Sequence, residues 1–143
     1  MSGAIPATHR CTVLVVEDDA ELRELLRMAL SADGYEVATV DNGREAMHYL
    51  RSHADACIIL LDLALPIMDG AQFRSAQLRD RSLAWIPLVV MSGSVEAARH
   101  ARELGARRLV RKPLDIDEVK NALRFVGCCQ ARPRPESPAS RAN

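Results

Sequence analysis

Four short apolar runs decide most of what this chain can fold into. Residues 13–16 (Val-Leu-Val-Val), 37–40 (Val-Ala-Thr-Val), 57–61 (Cys-Ile-Ile-Leu-Leu) and 88–91 (Leu-Val-Val-Met) are rich in β-branched side chains and carry no polar alternation. A strand with one wet face alternates apolar and polar residues, so runs of this kind read as strands covered on both faces. Stretches of helical period lie between them. Leu22, Leu25, Leu26 and Ala29 fall at i, i+3, i+4 and i+7; Ala46, Tyr49 and Leu50 repeat the spacing briefly; Ala97, Ala101 and Leu104 do so before Gly105. Residues 71–81 also read as a helix, although Phe73, Ala76 and Leu78 are only partly in phase, and Pro87 then opens the fourth strand. The last helix is the best signed. Asp115 followed by Glu118 resembles a capping box, and Ile116, Val119, Leu123 and Val126 mark one apolar face.

Strand and helix alternate five times, and right-handed crossovers turn that pattern into a doubly wound α/β domain, a parallel sheet with helices on both faces. The expected domain spans 10–126, after an N-terminal arm at 1–9. From Gly127 onward, Cys-Cys-Gln-Ala-Arg-Pro-Arg-Pro-Glu-Ser-Pro lacks any apolar period and reads as a disordered tail over 127–143, too short for an output domain.

The charge balance excludes some partners. With 19 basic and 19 acidic residues the chain has no global field to draw nucleic acid or an anionic membrane, so direct DNA binding is not expected. No apolar stretch approaches the length of a bilayer span and no secretory pattern opens the chain, which predicts a cytoplasmic protein without membrane insertion. Cys11 and Cys57 sit at or in apolar runs and Cys128 and Cys129 are adjacent, a spacing that suits reduced structural thiols better than a disulfide framework. His9, His48, His53 and His100 are too scattered for a zinc pattern.

In open parallel sheets the functional groups gather beyond the carboxyl ends of the strands. Those positions here are Glu17, Asp18 and Asp19 after the first strand, Asp62 after the third, Ser92 after the fourth and Lys112 after the fifth. Charged residues often end strands because the chain has reached solvent. Asp62, however, lies inside Ile-Ile-Leu-Leu-Asp-Leu-Ala-Leu-Pro, where a carboxylate has no reason to exist for solubility and needs a partner or a task. Crowded carboxylates repel unless a cation sits among them, and an all-oxygen site of few ligands suits Mg²⁺ before Ca²⁺. Such a site lets the Asp62 carboxylate act as a nucleophile toward a phosphoryl group, with Lys112 supplying a fixed charge and Ser92 a hydroxyl donor.

Four ordered segments, Val-Leu-Val-Val-Glu-Asp-Asp, Leu-Leu-Asp-Leu-Ala-Leu-Pro-Ile-Met-Asp-Gly, Val-Val-Met-Ser-Gly and Val-Arg-Lys-Pro-Leu, resemble the signatures of response-regulator receiver domains of two-component systems, over about residues 10–126. The resemblance implies a flavodoxin-like (CheY-like) fold with strand order 2-1-3-4-5. It implies Asp62 as phosphoacceptor, Ser92 and Lys112 as its partners, and Glu17, Asp18, Asp62 and the carbonyl of Ala64 as the Mg²⁺ site, with Asp18 the direct acidic ligand and Glu17 acting through water. Asp19 is assigned to the helix start, Pro66 and Gly70 to the shape of the following loop, Met68 to loop packing, and Lys112–Pro113 to a cis peptide.

The same resemblance implies a signalling phosphoacceptor rather than an enzyme, a stand-alone regulator served by a histidine kinase or histidine phosphotransfer protein. Its state would be reported by the fourth helix, fifth strand and fifth helix to an unidentified target or a second copy. Arg99, Arg102, Arg107, Arg108 and Arg111 make that surface locally basic. Two departures stand out: the usual aromatic three residues before the lysine is Leu109, and Ala64 and Ser94 occupy the two positions that tune acyl phosphate lifetime in the family. Three other readings compete. A haloacid-dehalogenase phosphatase needs a second Asp where this chain has Ala64; a phosphorylation-independent adaptor is favoured by Leu109 and opposed by the complete acidic, hydroxyl and lysine set; a DNA-binding regulator is opposed by charge and the lack of a helix-turn-helix.

Overall fold

The computed structural model describes residues 11–53 and 55–127. The predicted arm at 1–9 and the tail beyond Gly127 lie outside the described residues. Five strands, β1 (Thr12–Val16), β2 (Glu36–Val40), β3 (Ala56–Asp62), β4 (Leu88–Ser92) and β5 (Arg108–Arg111), alternate with α1 (Ala20–Ala32), α2 (Gly43–Ser52), α3 (Gly70–Arg79), α4 (Ala97–Glu103) and α5 (Ile116–Val126). All pairings are parallel and the order is β2-β1-β3-β4-β5, as the resemblance implied. Every residue of β1, β3 and β4 is buried, which is why those runs showed no alternation; β2 and β5 are edges and are partly exposed.

Each face of the sheet carries its own core. On one side Leu14, Val16, Ile59, Leu61 and Val90 pack beneath α2 and α3, with Phe73 and Leu50. On the other, Val13, Val15, Ile58, Leu60 and Met91 pack beneath α1 and α5, with Leu26, Leu30, Val119 and Leu123. The alternation along each strand thus divides one apolar run between two cores.

Several local expectations need correction. Leu25 is half exposed; α1 buries Leu26 and Leu30, with Leu22 partly covered, so its inner face runs at i, i+4 and i+8 and Leu25 falls to one side. The reciprocal capping box belongs to α3, where Asp69 accepts from the Gln72 amide at 2.9 Å and Gln72 accepts from the Asp69 amide at 3.0 Å. At α5 the Asp115 carboxylate accepts instead from the Asp117 amide at 2.9 Å. Cys57 is disulfide-bonded, against the expectation of reduced thiols throughout.

The weak periodicity of α3 has a structural cause: the helix buries two polar side chains. Gln77 is fully buried and its Nε2 donates to the carbonyls of Leu83 at 2.9 Å and Ile86 at 3.1 Å. Arg74 donates to Leu104 O at 2.8 Å, to Gly105 O at 3.4 Å and to Gln77 Oε1 at 2.7 Å. These bonds tie α3 to the segment before β4 and to the end of α4 and supply donors to backbone carbonyls there. Burial pulls the Arg74 pKa down, but at an arginine's basicity the guanidinium stays charged. Replacing Gln77 by Leu removes both bonds at once, leaves Ile86 O without its donor while Leu83 O keeps the Ile86 amide, and is expected to cost about 2 kcal/mol in urea unfolding; an unchanged midpoint would show that water replaces the amide.

Candidate functional site

Strand geometry brings the acidic residues together. β1 ends at Val16, and the next residue, Glu17, remains tied to the sheet through its amide, which donates to Val40 O at 3.1 Å. Its side chain is fully buried. Asp19 then caps α1, accepting from the amides of Glu21 at 3.0 Å and Leu22 at 3.2 Å, which matches its predicted role. Asp62, only 4 % exposed, closes β3 and its Oδ1 accepts from the Ala64 amide at 3.1 Å. Ser92 closes β4 and its Oγ accepts from the Ser94 amide at 3.1 Å, leaving the hydroxyl hydrogen available for a further acceptor.

Lys112 follows β5, held by its amide bond to Ser92 O at 3.1 Å and preceding a cis peptide to Pro113. Its Nζ lies 2.8 Å from Glu17 Oε1 and 3.2 Å from Asp62 Oδ2. One ammonium therefore serves two buried carboxylates. Burial pushes the Glu17 carboxyl above its ordinary pKa, and the charge of Asp62 adds to this against the hydrogen bonds from Lys112 and the Asp19 amide. For Lys112, burial works against the charged form, but the Glu17 hydrogen bond and the charges of Asp62 and Glu17 prevail and its pKa is raised. The two directions agree physically: the lysine gains a double counter-charge, while Glu17 must share one cation with a second acid.

Glu17, Asp18 and Asp62 offer carboxylate oxygens within 4.8 Å of one another, and Asp18 is the exposed member. All three, with Ala64, Ser92 and Lys112, line one open cleft of about 720 Å³ that reaches Leu104 at the end of α4. The oxygen-only donor set and its open mouth fit a hard divalent cation that keeps positions for water and an anion. Every residue named from sequence for this chemistry thus meets the others at the carboxyl edge of the sheet.

Supporting residues that the sequence did not single out complete the site. Arg23, one turn into α1, donates from Nη1 to the carbonyls of Glu17 at 2.9 Å and Asp18 at 3.3 Å and so fixes the acidic loop. Two glycines permit the close packing of the loop after Asp62. A Cβ on Gly43 would lie 2.6 Å from Met68 O, and one on Gly70 would lie 2.9 Å from Leu63 Cα. Only Gly70 stood within a recognisable motif; Gly43 has no local signal, because its constraint comes from a loop far along the chain. Met68 packs on the core, as expected of a loop residue. Leu109 is partly buried against the α4-side core.

Comparison with known proteins agrees with this fold. The family model described as "Response regulator receiver domain" matches residues 13–124. The transcriptional regulatory protein KdpE of Staphylococcus aureus is 34 % identical over 116 residues, covering 80 % of this chain and 48 % of KdpE. The regulatory protein AtoC of Escherichia coli is 32 % identical over 108 residues, covering 75 % of this chain and 23 % of AtoC. The chain therefore spans about half or less of the length of these relatives. Among solved structures, the chemotaxis response regulator CheY4 of Vibrio cholerae superposes with a TM-score of 0.76 at 25 % identity, over 82 % of this chain and 99 % of CheY4. A putative response regulator from Chloroflexus aurantiacus gives 0.78 at 25 % identity, over 87 % and 100 %.

A lysine whose folded-state pKa is raised favours the fold below its unfolded value of 10.5 and loses that contribution as pH rises through the folded value. Urea unfolding across the alkaline range should therefore show a fall in stability that Lys112→Met lacks. That variant should also be less stable at neutral pH, where Glu17 and Asp62 would face each other without a cation. An alkaline limb of equal slope in both proteins would assign the loss to other groups.

Proposed function

This chain belongs to the response regulator receiver domain family of two-component systems, and on that premise we propose that Asp62 accepts a phosphoryl group from a histidine kinase or histidine phosphotransfer protein. The observation that carries the reading is the burial of Asp62 at the mouth of the cleft, 3.2 Å from the Lys112 ammonium. In the proposed step a carboxylate oxygen of Asp62 attacks phosphorus. The acyl phosphate bond forms as the phosphorus–nitrogen bond of the donor phosphohistidine breaks, and the released imidazole takes up a proton. Lys112 follows the incoming charge, exchanging a carboxylate for a phosphoryl oxygen, and Ser92 donates its hydroxyl hydrogen to another.

Glu17, Asp18, Asp62 and the carbonyl of Ala64 would hold Mg²⁺, with Asp18 the direct acidic ligand and Glu17 acting through water. When bound, the ion offsets the negative charge that gathers on the phosphoryl oxygens. The domain is a signalling phosphoacceptor, and its state passes as a population shift to α4, β5 and α5. We read this domain as acting in the cytoplasm through a protein target, with no DNA contact of its own. Among the described residues no helix is long and apolar enough to cross a membrane. Leu109 favours a second reading, a receiver-fold adaptor that binds partners without phosphorylation.

Two measurements test this. Incubation with Mg²⁺ and acetyl phosphate should add one phosphoryl group to the intact mass of the wild type, labile to hydroxylamine and missing from Asp62→Asn. A folded wild type that gives no adduct would leave the adaptor reading in place. Separately, Mg²⁺ at about ten times its dissociation constant should stabilise the wild type by about 1.4 kcal/mol, and Asp18→Asn should lose most of that gain. Equal stabilisation of both proteins would remove Asp18 from the ligand set.

A further inference from the structure

The edge strand β5 carries a concentration of positive charge that the phosphoacceptor chemistry does not use. Arg108 and Arg111 are exposed on it, Arg107 immediately precedes it, and Arg102 stands on α4 beside it. Neighbouring cations are already paired: Arg99 with Glu96 and Glu103, and Arg124 with Asp33. Among the described residues Arg102, Arg107, Arg108 and Arg111 have no ion pair. In a chain of zero net charge this is a local excess.

Two of these arginines are held in place. The Arg108 guanidinium lies 3.5 Å from the centroid of the Phe125 ring, a residue 59 % exposed on α5, so a flat cation rests on an apolar plate at the surface. Arg111 donates from Nη1 to Ser94 O at 3.3 Å. Ser94 is also the residue whose amide donates to Ser92 Oγ at 3.1 Å. A two-bond path therefore runs from the hydroxyl in the cleft, through the backbone amide and carbonyl of Ser94, to a cation on the outer edge of the sheet. Leu109, packed on the α4-side core, offers no polar group to such a path.

We propose that the β5 arginines dock an acidic segment of a partner protein, and that Arg111 couples this docking to Ser92 through the Ser94 carbonyl. The coupling rests on the phosphoacceptor reading. When Ser92 moves its hydroxyl toward a phosphoryl oxygen and releases the Ser94 amide, the Ser94 backbone relaxes and its carbonyl lets the Arg111 guanidinium go to a carboxylate. Arginine forks match carboxylates in a bidentate manner, and Phe125 adds apolar contact for a side chain between two acids. A second copy of this chain is the poorer occupant, because a two-fold pairing would set arginine against arginine. A nucleic acid is also poorer, since the chain carries no net charge to draw a continuous phosphate backbone.

The test uses the full chain and fluorescence anisotropy of a fluorescein-labelled Glu-rich peptide, with a labelled single-stranded oligonucleotide alongside. The peptide should bind the wild type, more tightly after acetyl phosphate treatment. The double variant R108E/R111E should bind it about tenfold more weakly, as attraction becomes repulsion. R111A should lose the difference between treated and untreated protein, and R111K, which keeps the charge but not the fork, should recover only part of it. Equal peptide binding by wild type and R108E/R111E, or tighter binding of the oligonucleotide than the peptide, would overturn the docking. Intact mass on the same samples separates the two readings. An adduct without a change in anisotropy overturns the coupling alone; no adduct overturns the phosphoacceptor reading and the coupling with it, while R108E/R111E still decides the docking.

Discussion

The buried charge of Glu17 and Asp62 is the constraint on which the rest of the site depends. Two carboxylates without a cation would cost several kcal/mol to bury, and the cation that offsets them comes from Lys112, 95 residues after Glu17 in the chain. The sheet makes that distance short. With the order β2-β1-β3-β4-β5, Glu17 and Asp62 end adjacent strands, and Lys112 leans across the end of β4 from the edge. The acidic pair is thus tolerable only when the last strand is in register, so the charge arrangement and the completion of the fold are one condition. Arg23 plays a related part from the other side, holding two carbonyls of the acidic loop rather than its carboxylates.

Where sequence reasoning succeeded, the physical signal was local. Strands buried on both faces must be apolar at every position, so β1, β3 and β4 could be read within a residue or two of their ends, and a carboxylate closing such a run stands out. The edge strand β5 was harder to bound, since exposure readmits polar residues and leaves only Leu109 and Val110 as signal. Helix α3 was indistinct for a different reason. Phe73 is buried as its period requires, but Arg74 and Gln77 are buried too, and their bonds to distant carbonyls leave no trace in periodicity. The site was legible because each of its residues follows a strand; the supports were not, since the need for Gly43 comes from Met68, and the role of Arg23 from a helix folding back over its own cap.

The position of Lys112 also gives the site its direction. The ammonium gives two of its three N–H donors to the carboxylates, and a phosphoryl group arriving on Asp62 would compete with them for it. The loss is partly recovered in charge-assisted bonds to the phosphoryl oxygens. In the proposed reaction the resting arrangement and the phosphorylated one are therefore competing uses of one cation. That competition is the kind of bistability a switch requires.

How the switch reaches the surface follows from what the chain lacks. An aromatic ring at position 109 would sweep a large volume between inside and outside positions; a leucine already packed against the core has neither that reach nor a polar tip to report the state of Ser92. The remaining connection is the backbone. Ser94 bonds Ser92 through its amide and Arg111 through its carbonyl, and its own Oγ accepts from the Glu96 amide at 3.0 Å, at the start of α4. The Ser94 amide and carbonyl lie in successive peptide planes joined at its Cα, so a displacement of the first reaches the second through the φ and ψ of this one residue. In the proposed coupling the backbone of this one residue stands where a side-chain rotamer would otherwise act, and Arg111 is the cation whose freedom would change.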